Sequence, residues 1–119
     1  MAGERVPIVL FPRFTTFAGS STFLSYALEV SAYAELTLTA WRAPLIGSGA
    51  VFQLSVEESL DRSEWQDCAG SQEVDPGTNL EAPYAWPLTM RWVRTRLVLA
   101  GSNPVVTCWG QGFLIRRER

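Results

Sequence analysis

The sequence predicts an all-β fold, specifically an antiparallel β-sandwich of the jelly-roll type. Residues 33–41 and 51–58 each alternate between apolar and polar side chains, which is typical of strands with one buried face. Turn signals rich in Gly, Pro, Ser and Asn recur between such stretches, and no stretch has a convincing helical pattern. Because a single sheet would leave one apolar face in water, we expect two packed sheets.

Length and composition predict one domain. The chain has 119 residues, of which 47% are hydrophobic, so it can bury a core. We assign residues 1–14 to an N-terminal strand or arm, 15–116 to the sandwich and 117–119 to a solvated tail. The arm is interrupted by Pro7 and Pro12, so it resembles neither a signal peptide nor a membrane span. We therefore expect a location in the cytoplasm or in a particle assembled there.

The composition argues against several classes of function. The net charge of −2 gives no basis for binding nucleic acid. The absence of histidine excludes catalysis and zinc binding that depend on histidine. Cys68 and Cys108 lack a metal-ligand spacing, and we expect them to be buried, small apolar residues rather than a disulfide. We predict a non-enzymatic protein with no cofactor and no metal.

The strands and connections are assigned in chain order from the same patterns. Pro7 and Pro12 favour an edge position for the first strand, because proline cannot donate to a ladder of hydrogen bonds. The expected order is a strand at 5–11, a loop at 15–22, a short strand and turn within 23–32, a strand at 33–41, a loop at 44–49, a strand at 51–58, a long connection at 68–87 with at most one short strand, a strand at 88–100, a tight turn at 101–104 and the second arm of a hairpin at 105–116.

The stretch 51–65 is the most regular part of the chain. Its strand leads into a polar turn, in which Ser59 and Asp61 can each accept a backbone N–H two residues further on. We expect Trp65 to fold back and cap the core.

The last part of the chain has two irregular features. Within 88–100 the apolar face changes partway, which indicates either a β-bulge or a strand buried on both faces. Gly110 and Gly112 interrupt the following strand and indicate a bulge or a close approach by another backbone.

Charged residues give no catalytic or metal site. Glu57 and Glu58 are adjacent on a strand and must point to opposite faces, so they cannot form a carboxylate pair. We expect Glu57 to be solvated and Glu58 to lie where the strand leaves the core. A solvated acidic loop is favoured over a calcium site for Asp61, Glu64, Asp67, Glu73 and Asp75. Pairing with glutamates across strands is favoured over phosphate binding for Arg91, Arg94 and Arg96.

Aromatic and arm residues provide the candidate partner contacts. Trp86 lies between Ala85 and Pro87 in an expected loop and is the best candidate for exposure, and Trp109 is placed on an outer face. Exposed aromatics favour protein contact over sugar binding. The apolar arm either pairs with its own sandwich or adds as a strand to a neighbouring subunit, and we favour the second. Arg13 and Phe14 would then also contact the partner, Arg13 through a bidentate bond to a carboxylate.

Three stretches resemble small β-sandwich proteins encoded among the head genes of tailed bacteriophages and gene transfer agents. They are ALEVSAYAELTLTAWRA (27–43), VFQLSVEESLDRSEW (51–65) and MRWVRTRLVLAGSNPVVTCWG (90–110). The shared motifs are a Tyr-Ala-Glu-Leu strand, a Ser-x-Asp-x-x-x-Trp turn and a Gly-x-Asn-Pro segment between two strands. This chain has Arg62 where a glycine usually follows the Asp of the turn.

The resemblance implies a virion structural protein, such as a head decoration or a spike or fibre base. It implies a location on the capsid surface after assembly in the host cytoplasm. The expected partners are the major capsid protein or other head proteins and further copies of the chain, with no nucleic acid and no membrane. The alternative is a carbohydrate-binding sandwich module that attaches a particle to a host surface.

Overall fold

A computed structural model describes residues 4–68 and 73–117, and these parts of the chain form only strands and connections. They contain no helix that could cross a membrane. The eight strands are β1 (Arg5–Ala18), β2 (Ser21–Leu24), β3 (Leu28–Glu29), β4 (Tyr33–Arg42), β5 (Ile46–Ser59), β6 (Gln66–Asp67), β7 (Glu81–Pro87) and β8 (Trp92–Arg116).

Strand β8 is the spine of the fold. β1, β2 and β3 pair with it in succession along one side, and β4 and β5 pair with it along the other. β7 adds to β4, and β6 adds to β5. These pairings between strands are all antiparallel, as predicted.

The sheet bends over itself into two layers. Both ends of β8 reach the same turn, because the Val30 N–H donates to the Arg91 carbonyl (2.6 Å) and the Arg117 N–H donates to the Ala32 carbonyl (2.8 Å). The first layer contains β6, most of β5, the first half of β8, β2 and β3. The second layer contains β7, β4, the second half of β8 and β1. The predicted jelly-roll-like antiparallel sandwich is therefore confirmed.

Glycines form the crease between the layers. Gly101 has a φ of 120°, and a Cβ at this position would lie 2.8 Å from the Cα of Ala50 on β5. Gly19, in the connection between β1 and β2, and Gly49, in β5, also have positive φ values. The prediction of a tight turn at 101–104 followed by a hairpin is wrong, since β8 continues through the crease and its two halves pair with other strands.

The two halves of β8 bury residues of opposite parity. Val93 and Leu97 point into the core before the crease, and Val106 and Cys108 do so after it. The expected change of face within 88–100 is not a feature of the strand, because β8 begins only at Trp92.

The core lies between the layers, where side chains from both halves of the sheet meet. The predicted inward faces are confirmed, with Leu36 and Leu38 of β4 and Phe52, Leu54 and Val56 of β5 at most 3% exposed. Burying a side chain of this size contributes roughly 1.5–3 kcal/mol.

The N-terminal strand is longer than predicted and belongs to its own sheet. β1 runs to Ala18, so the expected loop at 15–22 is wrong, and it forms an edge, as its prolines predicted. Val6, Ile8 and Leu10 pack against the core. Of the two alternatives for the arm, the chain shows pairing within its own sandwich, and the favoured addition to a neighbouring subunit stays a prediction.

One connection contains more strand than expected, because β5 starts at Ile46, within the predicted loop at 44–49. Within the described part of the connection at 68–87, residues 81–87 form β7, which agrees with the short strand expected there.

Candidate functional site

The outward face of the second layer carries a groove of about 450 Å³, called the outer groove below. Its floor consists of Thr37 and Thr39 from β4 and Gln111 and Phe113 from β8. These residues alternate with core residues, so they point away from the core. The rim is formed by Pro7 and Val9 of β1 on one side and by Glu81 and Pro83 of β7 on the other.

The floor strands are central strands. Thr37 pairs with both Ala85 of β7 and Phe113 of β8, and Gln111 pairs with both Thr39 of β4 and Val9 of β1. The backbone groups of the floor are therefore engaged in the ladders, and its side chains are left to contact a ligand.

The floor strands also approach closely at Gly112. A Cβ at this position would overlap the carbonyl group of Thr37. The close backbone approach predicted from this glycine is confirmed, and it explains why no larger residue fits beneath the groove.

A bulge in β1 closes one end of the groove. Phe11 pairs with Gly110 and Thr15 pairs with Cys108, so four steps along β1 match two steps along β8. Residues 12–14 therefore stand opposite the single residue Trp109, and all three are exposed.

The bulge has a strained backbone and defined contacts. Phe14 has a φ of 61°, which is uncommon for a bulky residue. The Thr15 hydroxyl donates to the Pro12 carbonyl (2.6 Å) and closes the bulge. The Arg13 guanidinium stands 4.4 Å from the ring centre of Trp109.

An aromatic pair lies next to the bulge. The rings of Phe14 and Trp41 meet edge to face, with their centres 6.3 Å apart. Phe14 is 71% exposed even so, and it is one of the most exposed apolar side chains of the described residues.

Several polar side chains lining the groove have no hydrogen bond or ion pair with other described residues. They include Arg13, Thr39, Glu81 and Gln111. Their bonding capacity is available to a ligand. The alternation along β4, β7 and β8 determines that Thr39, Glu81 and Gln111 point outward, but the sequence does not show that these three strands are neighbours. Thr39, Glu81 and Gln111 were therefore not predictable as site residues from the sequence pattern.

The structure brings together three of the four predicted partner-contact residues. Arg13, Phe14 and Trp109 meet at the bulge, and Arg13 and Phe14 are exposed. Trp109 faces outward as expected, but it is only 5% exposed. Trp86 is 3% exposed and lies on β7 beside Tyr84, so its expected exposure is wrong and it does not adjoin the other three. Contact with a partner stays a prediction.

The outward face of the first layer has its charges paired within the chain. Arg94 and Arg96 bind the carboxylate of Glu57 at 2.9 and 3.5 Å, and Arg96 also reaches Glu73 at 3.2 Å. Arg94 lies 4.0 Å above the ring of Trp65. The predicted pairing of arginines with glutamates is confirmed. The expectation that Glu57 is solvated is wrong, because this cover leaves it 9% exposed.

The polar turn after β5 forms as predicted. The Ser59 hydroxyl accepts the N–H groups of Asp61 and Arg62, and one Asp61 oxygen accepts those of Ser63 and Glu64. The N–H groups of Glu64 and Ser63 hold the pKa of Asp61 below its usual value.

Trp65 is placed differently from the prediction. Its indole N–H donates to the Arg62 carbonyl (3.1 Å), and its ring stacks under Arg94 on the outer face. It does not belong to the core, so the expected capping role is wrong. Arg62 has a φ of 65°, the conformation for which a glycine is usual at this position of the turn.

The buried carboxylate Glu58 has a structural role. One of its oxygens accepts the N–H groups of Thr89 (3.0 Å) and Met90 (3.2 Å), and the other accepts the Thr89 hydroxyl (2.7 Å). Its side chain is 1% exposed and fully engaged, so it is not available to a substrate.

The two cysteines are free thiols buried in the core. Burial raises the pKa of Cys68 to about 12, with a further contribution from the nearby Glu58 carboxylate, and burial alone raises that of Cys108 to about 12. Their prediction as small buried residues is confirmed. Among the described residues, no three His, Cys, Asp or Glu side chains are grouped to hold a metal ion.

Arg42 anchors the connection before β7. This 7% exposed arginine makes a bidentate bond to Asp75 at 2.6 and 2.9 Å, and it also donates to Thr78. Partial burial raises the pKa of Asp75, but the bonds from Arg42 and from the Gly77 N–H outweigh it and lower the pKa overall. Asp75 is therefore an ion-pair partner as well as the exposed acidic residue that was expected.

Neither a protein-family model nor a curated protein sequence matches this chain. Among solved structures, the PBSX exported protein XepA matches 96% of the chain with 17% identity and a TM-score of 0.67. A chain from the structure of infectious bursal disease virus, Gx strain, matches 95% of it with 11% identity and a TM-score of 0.56. A family 29 carbohydrate-binding module matches 94% with 10% identity and a TM-score of 0.46.

The first two likenesses establish a distant all-β fold relationship. The chain spans 38% of the length of XepA and 32% of the viral chain. At such identities the fold is shared without a demonstrated activity.

Proposed function

We propose that this protein is a non-enzymatic structural component of a tailed phage or a phage-like particle. It attaches to the capsid surface as a head decoration or as the base of a spike or fibre. The observation that carries the proposal is the fold match to the PBSX exported protein XepA over 96% of the chain. The match to a chain of a virus structure supports it, as does the resemblance of three sequence stretches to phage head proteins.

The use of the polar groups supports a role without catalysis. Glu57, Glu58 and Asp75 are each engaged by neighbouring donors. The chain contains no histidine, and the thiols of Cys68 and Cys108 are buried and held protonated. These features fit a chain that provides surfaces, not reacting groups.

The bulge provides a surface for a protein partner. Phe14 is 71% exposed and Arg13 has no carboxylate partner among the described residues, so the two together offer an apolar knob and a free guanidinium. We expect the major capsid protein, another head protein or a further copy of the chain to contact them.

The test is to compare particles made with and without the gene. We expect the purified particles to contain the protein, and electron cryomicroscopy to show surface density that the deletion particles lack. Normal head density in the deletion, together with absence of the protein from purified particles, would contradict the proposal. An Arg13→Ala, Phe14→Ala double variant should fold and lose attachment, whereas Tyr26→Ala, which removes a 90% exposed aromatic elsewhere, should attach normally.

A second candidate function is carbohydrate binding for attachment to a host surface. The outer groove favours it, since uncommitted polar side chains line it beside an aromatic residue. The two roles use different surfaces apart from Arg13, which adjoins both: the groove floor would bind the sugar, and the exposed Phe14 would contact the protein partner.

A further inference from the structure

We propose that the outer groove binds a short oligosaccharide of two or three sugar rings, with Phe113 and Gln111 as its central contacts. The inference rests on the second candidate function above and assigns to it a site and a ligand size. It does not depend on the attachment of the protein to a capsid.

The lining of the groove matches the chemistry of a sugar. Phe113 is 40% exposed and offers a ring surface for the C–H groups of a pyranose. Next to it along the floor, Gln111 and Thr39 offer an amide and a hydroxyl that have no partner within the described residues. Hydroxyl groups of a sugar can both donate to and accept from such side chains.

The ends of the groove add charged groups. Glu81 lies on the rim at β7, and Arg13 lies on the bulge at β1. Each can bind two neighbouring hydroxyls at once, the carboxylate as acceptor and the guanidinium as donor. Arg13 is held in place by its contact with the Trp109 ring, so little side-chain freedom remains to be lost on binding.

The same geometry disfavours a peptide strand in the groove. A bound strand needs free backbone donors and acceptors at a sheet edge. Thr39 and Gln111 instead belong to β4 and β8, each of which is already paired on both sides. The floor can therefore bind a ligand through its side chains alone, and an oligosaccharide is such a ligand.

The length of the floor sets the size of the ligand. From Phe113 to Trp109 the strand advances four residues, which corresponds to about 14 Å at ~3.4 Å per residue. That distance accommodates two or three rings.

The experiment is to screen the full chain on an array of immobilised bacterial surface glycans together with cellohexaose, xylohexaose, mannohexaose and galacturonic acid hexamers. Any glycan that binds is then titrated by calorimetry against variants. We expect Phe113→Ala and Gln111→Ala each to weaken binding by about tenfold or more, the equivalent of 1.4 kcal/mol. The matched controls are Tyr26→Ala, an exposed aromatic outside the groove, and Gln53→Ala, a half-buried glutamine on the other layer.

Each outcome decides the inference. Binding that Phe113→Ala and Gln111→Ala weaken and the two controls do not supports the site. Binding that all four variants leave unchanged places the sugar elsewhere and overturns the proposed site. Absence of binding to any glycan at about 1 mM also overturns it, since the binding free energy is then weaker than about 4 kcal/mol. Circular dichroism of each variant shows whether it is folded. Incorporation into particles is measured separately, so loss of sugar binding with normal incorporation refutes only this inference.

Discussion

Replacing Glu58 with alanine should strongly lower the free energy of unfolding, because this buried carboxylate joins two parts of the chain. Glu58 ends β5, and its oxygens hold the segment that leads into β8 through Thr89 and Met90. The carboxylate is 1% exposed, so water cannot replace its contacts. In the alanine variant the N–H groups of Thr89 and Met90 lose this buried acceptor.

The magnitude follows from three hydrogen bonds to one side chain. Each buried donor left without a partner costs about 1–3 kcal/mol, and the removed side chain also leaves a cavity. Relaxation of the 88–91 segment toward water offsets part of this cost. We expect a net loss of about 3–5 kcal/mol, which combines the two N–H donors left without a partner and the cavity, less this relaxation. Glu58→Gln retains the shape and part of the bonding, so it should cost less.

The assay is equilibrium unfolding in urea, monitored by tryptophan fluorescence. With a slope of about 2 kcal/mol per M, a loss of 4 kcal/mol lowers the midpoint by about 2 M. The control is Glu64→Ala, since Glu64 is an exposed residue of the turn and should change the stability by less than about 0.5 kcal/mol. A midpoint for Glu58→Ala that equals that of Glu64→Ala would refute the bracing role.

Three further predictions follow from the backbone, the ion pair and the thiols. Arg62→Gly should be about 1 kcal/mol more stable than Arg62→Ala, reversing the usual order, because φ is 65° there; equal urea midpoints would count against backbone strain. Since the folded-state pKa of Asp75 is lowered, its contribution is present above the unfolded pKa and is lost as the pH falls through the folded one. Asp75→Asn, which weakens the bond to Arg42, should therefore cost about 1–3 kcal/mol at pH 7 and reduce the loss of stability in acid, as melting temperatures from pH 7 to 2 would test. Cys68 and Cys108, with pKa values of about 12, should react with a thiol reagent at pH 8 only on unfolding, because the thiolate fraction is on the order of 10⁻⁴; rapid labelling of the native protein would contradict their burial.

The sequence alone determined the local features of this protein. Alternation along 33–41 and 51–58 predicted which side chains face the core, because successive residues of a strand point to opposite faces wherever the strand lies. The turn at Ser59 and Asp61 was equally predictable, since its hydrogen bonds join residues at most three apart. The edge position of the first strand followed from the missing N–H groups of Pro7 and Pro12.

Only the tertiary structure decided what covers each outward face. Glu57 and Trp109 both point away from the core, as parity requires, yet both are buried. Glu57 is covered by arginines of β8, and Trp109 is covered by Arg13 from a bulge at the other end of the chain. These contacts join residues that are remote in sequence, and local alternation carries no information about which strand lies alongside.

The outer groove also depends on contacts between residues that are remote in sequence. Its floor and rims come from β1, β4, β7 and β8, and they meet only because β8 passes through the glycine crease at Gly101 instead of turning into a hairpin. A glycine followed by Ser, Asn and Pro is compatible with either path. The choice depends on long-range pairing along both sides of β8, which buries the apolar faces of the two layers against each other.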